Sequence, residues 1–136
     1  MSQSINGLPI APELIVLPPS FQKESDINRP GPSQLSVFID VHEAGILDSL
    51  FGIPPPGWKE VFGMRETWWD LPANRHSQGC NLAFADGHAE HWRWVVPKLF
   101  REIGQDIAGE EEMKDFRRLQ RTVRPETRYP ERYQPE

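Results

Sequence analysis

The apolar residues of this chain follow the two-residue period of β-strands in three short stretches. In residues 34–40 an apolar side chain occupies every second position, and the stretch ends at the carboxylate of Asp40. Residues 80–85 and 88–94 are two further strand-like runs. Alternation of this kind is typical of strands with one buried face, so the pattern predicts a small antiparallel sheet.

The dipeptide Asp86-Gly87 separates the last two strands and predicts a β-hairpin. Asp-Gly supplies the positive φ angles of a two-residue turn, which pairs Ala85 with His88. Side chains alternate between the two faces of a strand, so this register places Leu82 on one face of the hairpin and Trp92 on the other.

Helical spacing is clearest near the C-terminus. Residues 110–121 carry an apolar stripe, with three glutamates in the first turn and arginines towards the end. This order of charges favours a helix because it complements the helix dipole. Shorter helical turns are predicted within residues 41–51, at 58–64 and at 97–103.

Proline content indicates how the chain is organised. Residues 1–34 contain six prolines and predict an extended arm with one short strand at 13–17. Residues 35–109 are the predicted core, which includes the hairpin at 80–94, and residues 110–136 are a helix and a trailing tail. A chain of 136 residues has the size of one domain. We therefore predict a single α+β domain: a small antiparallel sheet with a C-terminal helix and a Pro-rich N-terminal arm.

Composition excludes several classes of function. The chain has 15 basic and 20 acidic residues and a net charge of -5, which disfavours nucleic acid as a partner. Its single cysteine, Cys80, excludes an internal disulfide and a thiolate metal cluster. No apolar run approaches the roughly 18 residues of a membrane span. None of these features indicates a cellular compartment.

Nine residues separate His76 from Asp86-Gly87. This spacing resembles the H-X9-DG carboxy-terminal domain of prepilin-type proteins, which is similar to the pseudopilins of type II secretion. Residues 37–43 and 69–73 also resemble blocks of that family, so the resemblance extends over roughly residues 30–95.

The resemblance implies a pseudopilin-like head domain, a structural or interaction module with other pseudopilin-like subunits as partners. The resembled family is extracytoplasmic, and its members begin with a hydrophobic membrane helix. This sequence opens in the Pro-rich arm instead, so fibre assembly is not expected. Two alternatives stay open: a head domain cut from a longer parent, or a free-standing relative.

The resemblance also implies calcium binding, and Asp40, Asp70 and Asp86 are the candidate oxygen donors for Ca²⁺. Asp86 has a simpler interpretation as the turn residue. His76, Asp86 and Gly87 are predicted to form a structural brace, in which the imidazole ties the loop before the hairpin to the turn.

The alternative to a structural module is a metal-dependent hydrolase of the esterase or lactonase type. Here His76 and His88, with Asp86 or Asp70, would hold a Zn²⁺-like ion that activates water against an ester or lactone. A third interpretation is a binding module, because Trp92 is expected to share one strand face with the tryptophan two residues later.

Overall fold

The structure is a computed structural model that describes residues 20–135. The strand predicted at 13–17 and most of the predicted arm lie outside this range. The described part of the arm contains a short 3-10 helix, Glu24–Asp26. A turn follows in which the Gln34 N–H donates to the Gly31 carbonyl at 2.9 Å.

Three antiparallel strands form one sheet in the order β1-β2-β3. Strand β1 is Ser36–Ile39, β2 is Gly79–Phe84 and β3 is Ala89–Arg93. Strand β2 is central because it pairs with β1 on one side and with β3 on the other. Its side chains alternate in burial, so one face of the strand meets the core. Together with the C-terminal helix, this sheet confirms the predicted α+β fold.

The hairpin turn has three residues rather than two, so the predicted register is wrong by one position. Ala83 pairs with Ala89, and Cys80 pairs with Trp92. Gly87, with φ of 95°, closes the loop by donating its N–H to the Phe84 carbonyl at 2.9 Å. A turn ending in a left-handed glycine bulge has this geometry.

The shifted register decides which side of the hairpin the tryptophans occupy. Trp92 lies opposite Cys80 and on the same buried face as Leu82, so the prediction that Trp92 and Leu82 face opposite sides is wrong. Trp94 is also buried, at 2% exposure, and its Nε1–H donates to the Ala73 carbonyl at 2.8 Å. These rings are core residues and offer no exposed stacking surface.

Two α-helices lie among the described residues. Helix α1 is Trp58–Phe62 and helix α2 is Gly109–Gln120, both close to their predicted positions. A 3-10 helix, Glu43–Gly45, is the only helical element that the structure places within the described segment 41–51.

The helix predicted at 97–103 is wrong, because this segment is neither helix nor strand. The Asp115 carboxylate of α2 accepts hydrogen bonds from the main-chain N–H groups of Val95 and Val96 at 2.9 and 3.1 Å. It also binds the buried Lys98 ammonium at 2.6 Å. These tertiary contacts hold the main chain away from helical geometry.

The core combines one face of the sheet with one face of α2. Phe116 and Leu119 of α2 belong to the same buried cluster as Leu82 of β2. Trp68 fills the centre of this cluster at 1% exposure, with its ring edge-on to Phe116 at 5.2 Å between centroids. Large aromatic rings thus supply much of the buried area, as expected for a chain with few aliphatic residues.

The C-terminal segment packs against the α1 region, so the predicted trailing tail is wrong. The Glu126 N–H donates to the Pro56 carbonyl at 2.9 Å, and the Arg132 guanidinium donates to the Val61 carbonyl at 3.0 Å. Within residues 20–135, none of the helices is long and apolar enough to cross a membrane.

Candidate functional site

His76 lies in a tight loop that leads into β2. Arg75 and Gly79 exchange two main-chain hydrogen bonds of 2.7 and 2.8 Å, which close the loop. The residues between them, His76, Ser77 and Gln78, have φ angles of 50°, 68° and 62°. Three successive left-handed residues without glycine are conformationally costly. Main-chain and side-chain bonds from Gln78 to the region of Trp94 secure this geometry.

The structure does not bring His76 together with Asp86 and Gly87. His76 precedes β2 and Asp86 follows it, so the length of that strand separates the two residues. The His76 side chain is exposed, and its nearest aromatic neighbour is His91, at 6.5 Å between ring centroids. The imidazole of the predicted brace, His76, therefore lies at one end of the hairpin, and the turn at Asp86 and Gly87 lies at the other end.

His88 takes a bracing position beside the turn instead. Its Nδ1 contacts a carboxylate oxygen of Asp86, and its Nε2 lies 2.7 Å from a carboxylate oxygen of Glu90. The His88 N–H also donates to Asp86 at 3.1 Å, and the imidazole stacks on the Phe84 ring at 4.6 Å. These contacts tie the turn to β3 and to the end of β2.

His88, Asp86 and Glu90 stabilise one another's charged forms. Hydrogen bonds that the imidazole donates to Glu90 and then to Asp86 raise the pKa of His88, and the same bonds lower the pKa of each carboxyl group. Both ring nitrogens of His88 already contact carboxylate oxygens. In this arrangement the His88 side chain fastens the hairpin tip.

The candidate calcium ligands lie in separate places. Asp40 follows β1 and has an oxygen 3.4 Å from the Asn81 N–H, whereas Asp86 is at the opposite end of β2. Asp70 accepts the Gly52 N–H at 2.6 Å, and burial raises the pKa of its carboxyl group. Residues 20–135 contain no group of three or more His, Cys, Asp or Glu side chains arranged to hold a metal ion.

Cys80 is not positioned as a nucleophile. Its side chain is fully buried in the core, and burial raises the pKa of the thiol to about 12. Nucleophilic cysteines react as thiolates in partly exposed sites, so this residue has a packing role.

An exposed apolar surface lies beside the sheet, and the hydrophobic pattern did not predict it. We call it the apolar patch: Phe38 and Leu50, exposed by 73% and 38%. Ile46 and Leu47, shortly before Leu50 in the chain, are exposed by 61% and 60%. Phe38 and Leu50 line one groove of about 390 Å³. Sequence alternation groups Phe38 with Ser36, but a register shift separates the two residues in β1, and Ser36 is fully buried whereas Phe38 is exposed.

The apolar patch adjoins the free edge of the sheet. Strand β1 has β2 on one side only, and Val37 and Ile39 line the same groove as Phe38. Outside its ladder with β2, the strand makes one main-chain hydrogen bond to the rest of the described chain, from the Ser36 N–H to the Thr122 carbonyl at 3.0 Å. Within residues 20–135 no other strand pairs with this edge.

Comparison with known proteins finds no relative of this chain: no family model, no curated protein and no solved structure matches it.

Proposed function

We propose that this chain is a structural or interaction domain of the pseudopilin-head type, which binds protein subunits through the apolar patch and the edge of β1. The observation that supports the proposal is the exposure of Phe38 and Leu50 beside β1, whose outer edge pairs with no other strand of residues 20–135. Apolar patches of this kind mark interaction sites on soluble domains. Natural edge strands are usually protected by charges or proline, and β1 has neither.

The partner that fits this surface best is a second subunit with the same edge. Two copies of β1 can pair antiparallel about a two-fold axis, which buries the same surface on both subunits. Pairing would supply hydrogen bonds along the open main chain and would cover Phe38 at the same time. The proposal therefore predicts self-association that depends on Phe38.

Sedimentation velocity over about 5 to 200 µM protein tests this proposal, because association follows mass action. The unaltered chain should sediment faster as its concentration rises, and Phe38→Lys should remain monomeric. Val95→Lys is the matched control: Val95 is 53% exposed and follows β3, at the opposite edge of the sheet. A monomer at every concentration, or equal loss of association in both variants, would contradict the proposed interface.

Calcium binding and hydrolysis remain predictions. The calcium prediction rests on the resemblance, since Asp40, Asp70 and Asp86 are not brought together within the described chain. A melting temperature that rises in millimolar Ca²⁺ would support it. The hydrolase alternative gains no support from His88, whose two ring nitrogens already contact carboxylates.

A further inference from the structure

We propose that a second surface, a groove lined by arginines, binds an extended acidic peptide. A cavity of about 530 Å³ is lined by Arg29, Gln34, Arg121 and Tyr133. A neighbouring cavity of about 320 Å³ shares Gln34 and Arg121 and adds Arg118. Because the two cavities share Gln34 and Arg121, they are adjacent, and we call the two together the basic groove.

The walls of the basic groove are held by contacts within the domain. Gly31 and Gln34 form the turn on one side, and the buried side chain of Val123 lies at its base. On the other side, the Tyr133 ring lies directly against Gly57, where an added Cβ would be 2.4 Å from the ring. The Tyr133 N–H donates to the Tyr129 carbonyl at 3.1 Å, which fixes the C-terminal segment. The groove is therefore largely preformed for a ligand.

The charge of the groove is opposite to that of the whole chain, which carries a net charge of -5. Within residues 20–135, Arg29 and Arg121 form no ion pair, and Arg118 lies over the Trp92 ring at 4.0 Å from its centroid. One carboxylate, Glu90, is among the described residues that line the groove, and it already contacts His88 and the Trp92 Nε1–H.

The helix dipole of α2 accounts for the position of Arg121 but not for that of Arg29. Arg121 caps α2, where a cation complements the helix dipole. Arg29 lies outside any helix, in the described part of the arm. Both arginines line the same cavity, and within residues 20–135 neither guanidinium group forms an ion pair. The planar fork of arginine is well matched to a carboxylate.

The lining of the groove favours an extended peptide as the carrier of those carboxylates. Prolines 30, 56, 125 and 135 line the larger cavity together with Tyr133. Grooves with aromatic walls accept polyproline II segments, whose backbone is already extended. The Gln34 side-chain amide has no hydrogen bond within the described chain and can both donate to and accept from a peptide main chain.

NMR titration of the full chain tests the proposal, with the arginine Nε–H resonances as site-specific probes. The ligand is a capped hexapeptide of alternating glutamate and proline, and the matched peptide has glutamine in place of glutamate. The acidic peptide should shift Arg29 and Arg121 saturably, and salt should weaken binding. Arg29→Gln and Arg121→Gln should each reduce affinity about tenfold, the usual effect of one charged hydrogen bond.

Arg65→Gln is the control, because its side chain is 75% exposed and pairs with Asp106 away from the groove. This variant should bind the acidic peptide with unchanged affinity. The proposal is overturned by equal binding of the glutamine peptide, by unsaturable shifts, or by full affinity in both groove variants. Inorganic phosphate competing as well as the peptide would also overturn it, because the groove would then be a simple anion site.

Discussion

Breaking the buried ion pair between Lys98 and Asp115 should destabilise the fold by about 3–5 kcal/mol. The two side chains are 0% and 2% exposed, and their charged atoms are 2.6 Å apart. The Lys98 ammonium also donates to the Val96 carbonyl at 2.7 Å and lies 5.2 Å from the centroid of the Trp94 ring. The pair therefore links the segment after β3 to α2 in the centre of the core.

The magnitude follows from what each substitution leaves behind. Lys98→Met keeps most of the apolar stem but leaves Asp115 with two main-chain donors and no countercharge. Asp115→Asn leaves the ammonium buried without a carboxylate. Each single variant thus retains an uncompensated charge, which costs about 3–5 kcal/mol, whereas the double variant retains none. The double variant should lose less than the sum of the single losses, by about 2 kcal/mol.

Urea unfolding followed by the fluorescence of the five tryptophans measures these differences. Lys114→Met is the matched control, because Lys114 pairs with Glu111 at 2.8 Å on the exposed surface, at 64% and 59% exposure. That variant should change the free energy of unfolding by less than about 1 kcal/mol. The reasoning would be refuted if Lys98→Met lost as little free energy of unfolding as the control Lys114→Met. Additive losses in the double variant would refute it as well.

Three further predictions concern the hairpin and the core. Gly79→Ala should prevent β2 from pairing with β3, because the new Cβ would lie 2.0 Å from the Trp92 carbonyl oxygen. Circular dichroism should show a loss of secondary structure in this variant. The control Gly31→Ala should stay folded, because Gly31 has open space around it. The contacts that raise the pKa of His88 stabilise the fold at pH values below about 6.5, the pKa of His88 in the unfolded chain. This stabilisation is lost as the pH rises through the folded pKa, so the melting temperature should fall over that range. The variant His88→Gln should lack this component. Cys80, whose pKa is about 12, should resist a thiol reagent at pH 8 until urea unfolds the chain; rapid native labelling would contradict its burial.

Local pattern predicted the elements better than their pairing. The three strands and α2 were identified because alternation and helical spacing are properties of a few consecutive residues. The hairpin register was wrong because Asp-Gly is compatible with turns of different length, and the position of Gly87 in a three-residue loop depends on the contacts of the whole sheet. One position of shift then moved Trp92 to the other face.

The helix predicted at 97–103 failed for a related reason. Its apolar spacing was compatible with a helix, but the Asp115 carboxylate binds the main-chain N–H groups of Val95 and Val96. Lysines are mostly exposed in proteins, whereas Lys98 is buried and pairs with the same carboxylate. A partner 17 residues away along the chain is not visible to a local pattern.

The candidate sites show the same division. Spacing along the chain suggested that His76 would reach Asp86, but an extended β2 carries them to opposite ends of the hairpin, and His88 occupies the place beside the turn. The basic groove collects Arg29 and Arg121 with the C-terminal segment. No spacing in the sequence indicates that these regions meet.

The sequence by itself determined the α+β class, the positions of the three strands and α2, the negative charge and the aromatic composition of the core. These properties follow from short-range periodicity and from residue content. Only the tertiary structure decided the strand register, the burial of Lys98 and the exposure of Phe38. Each of these depends on which distant segments compete for the same main-chain donors and the same buried space.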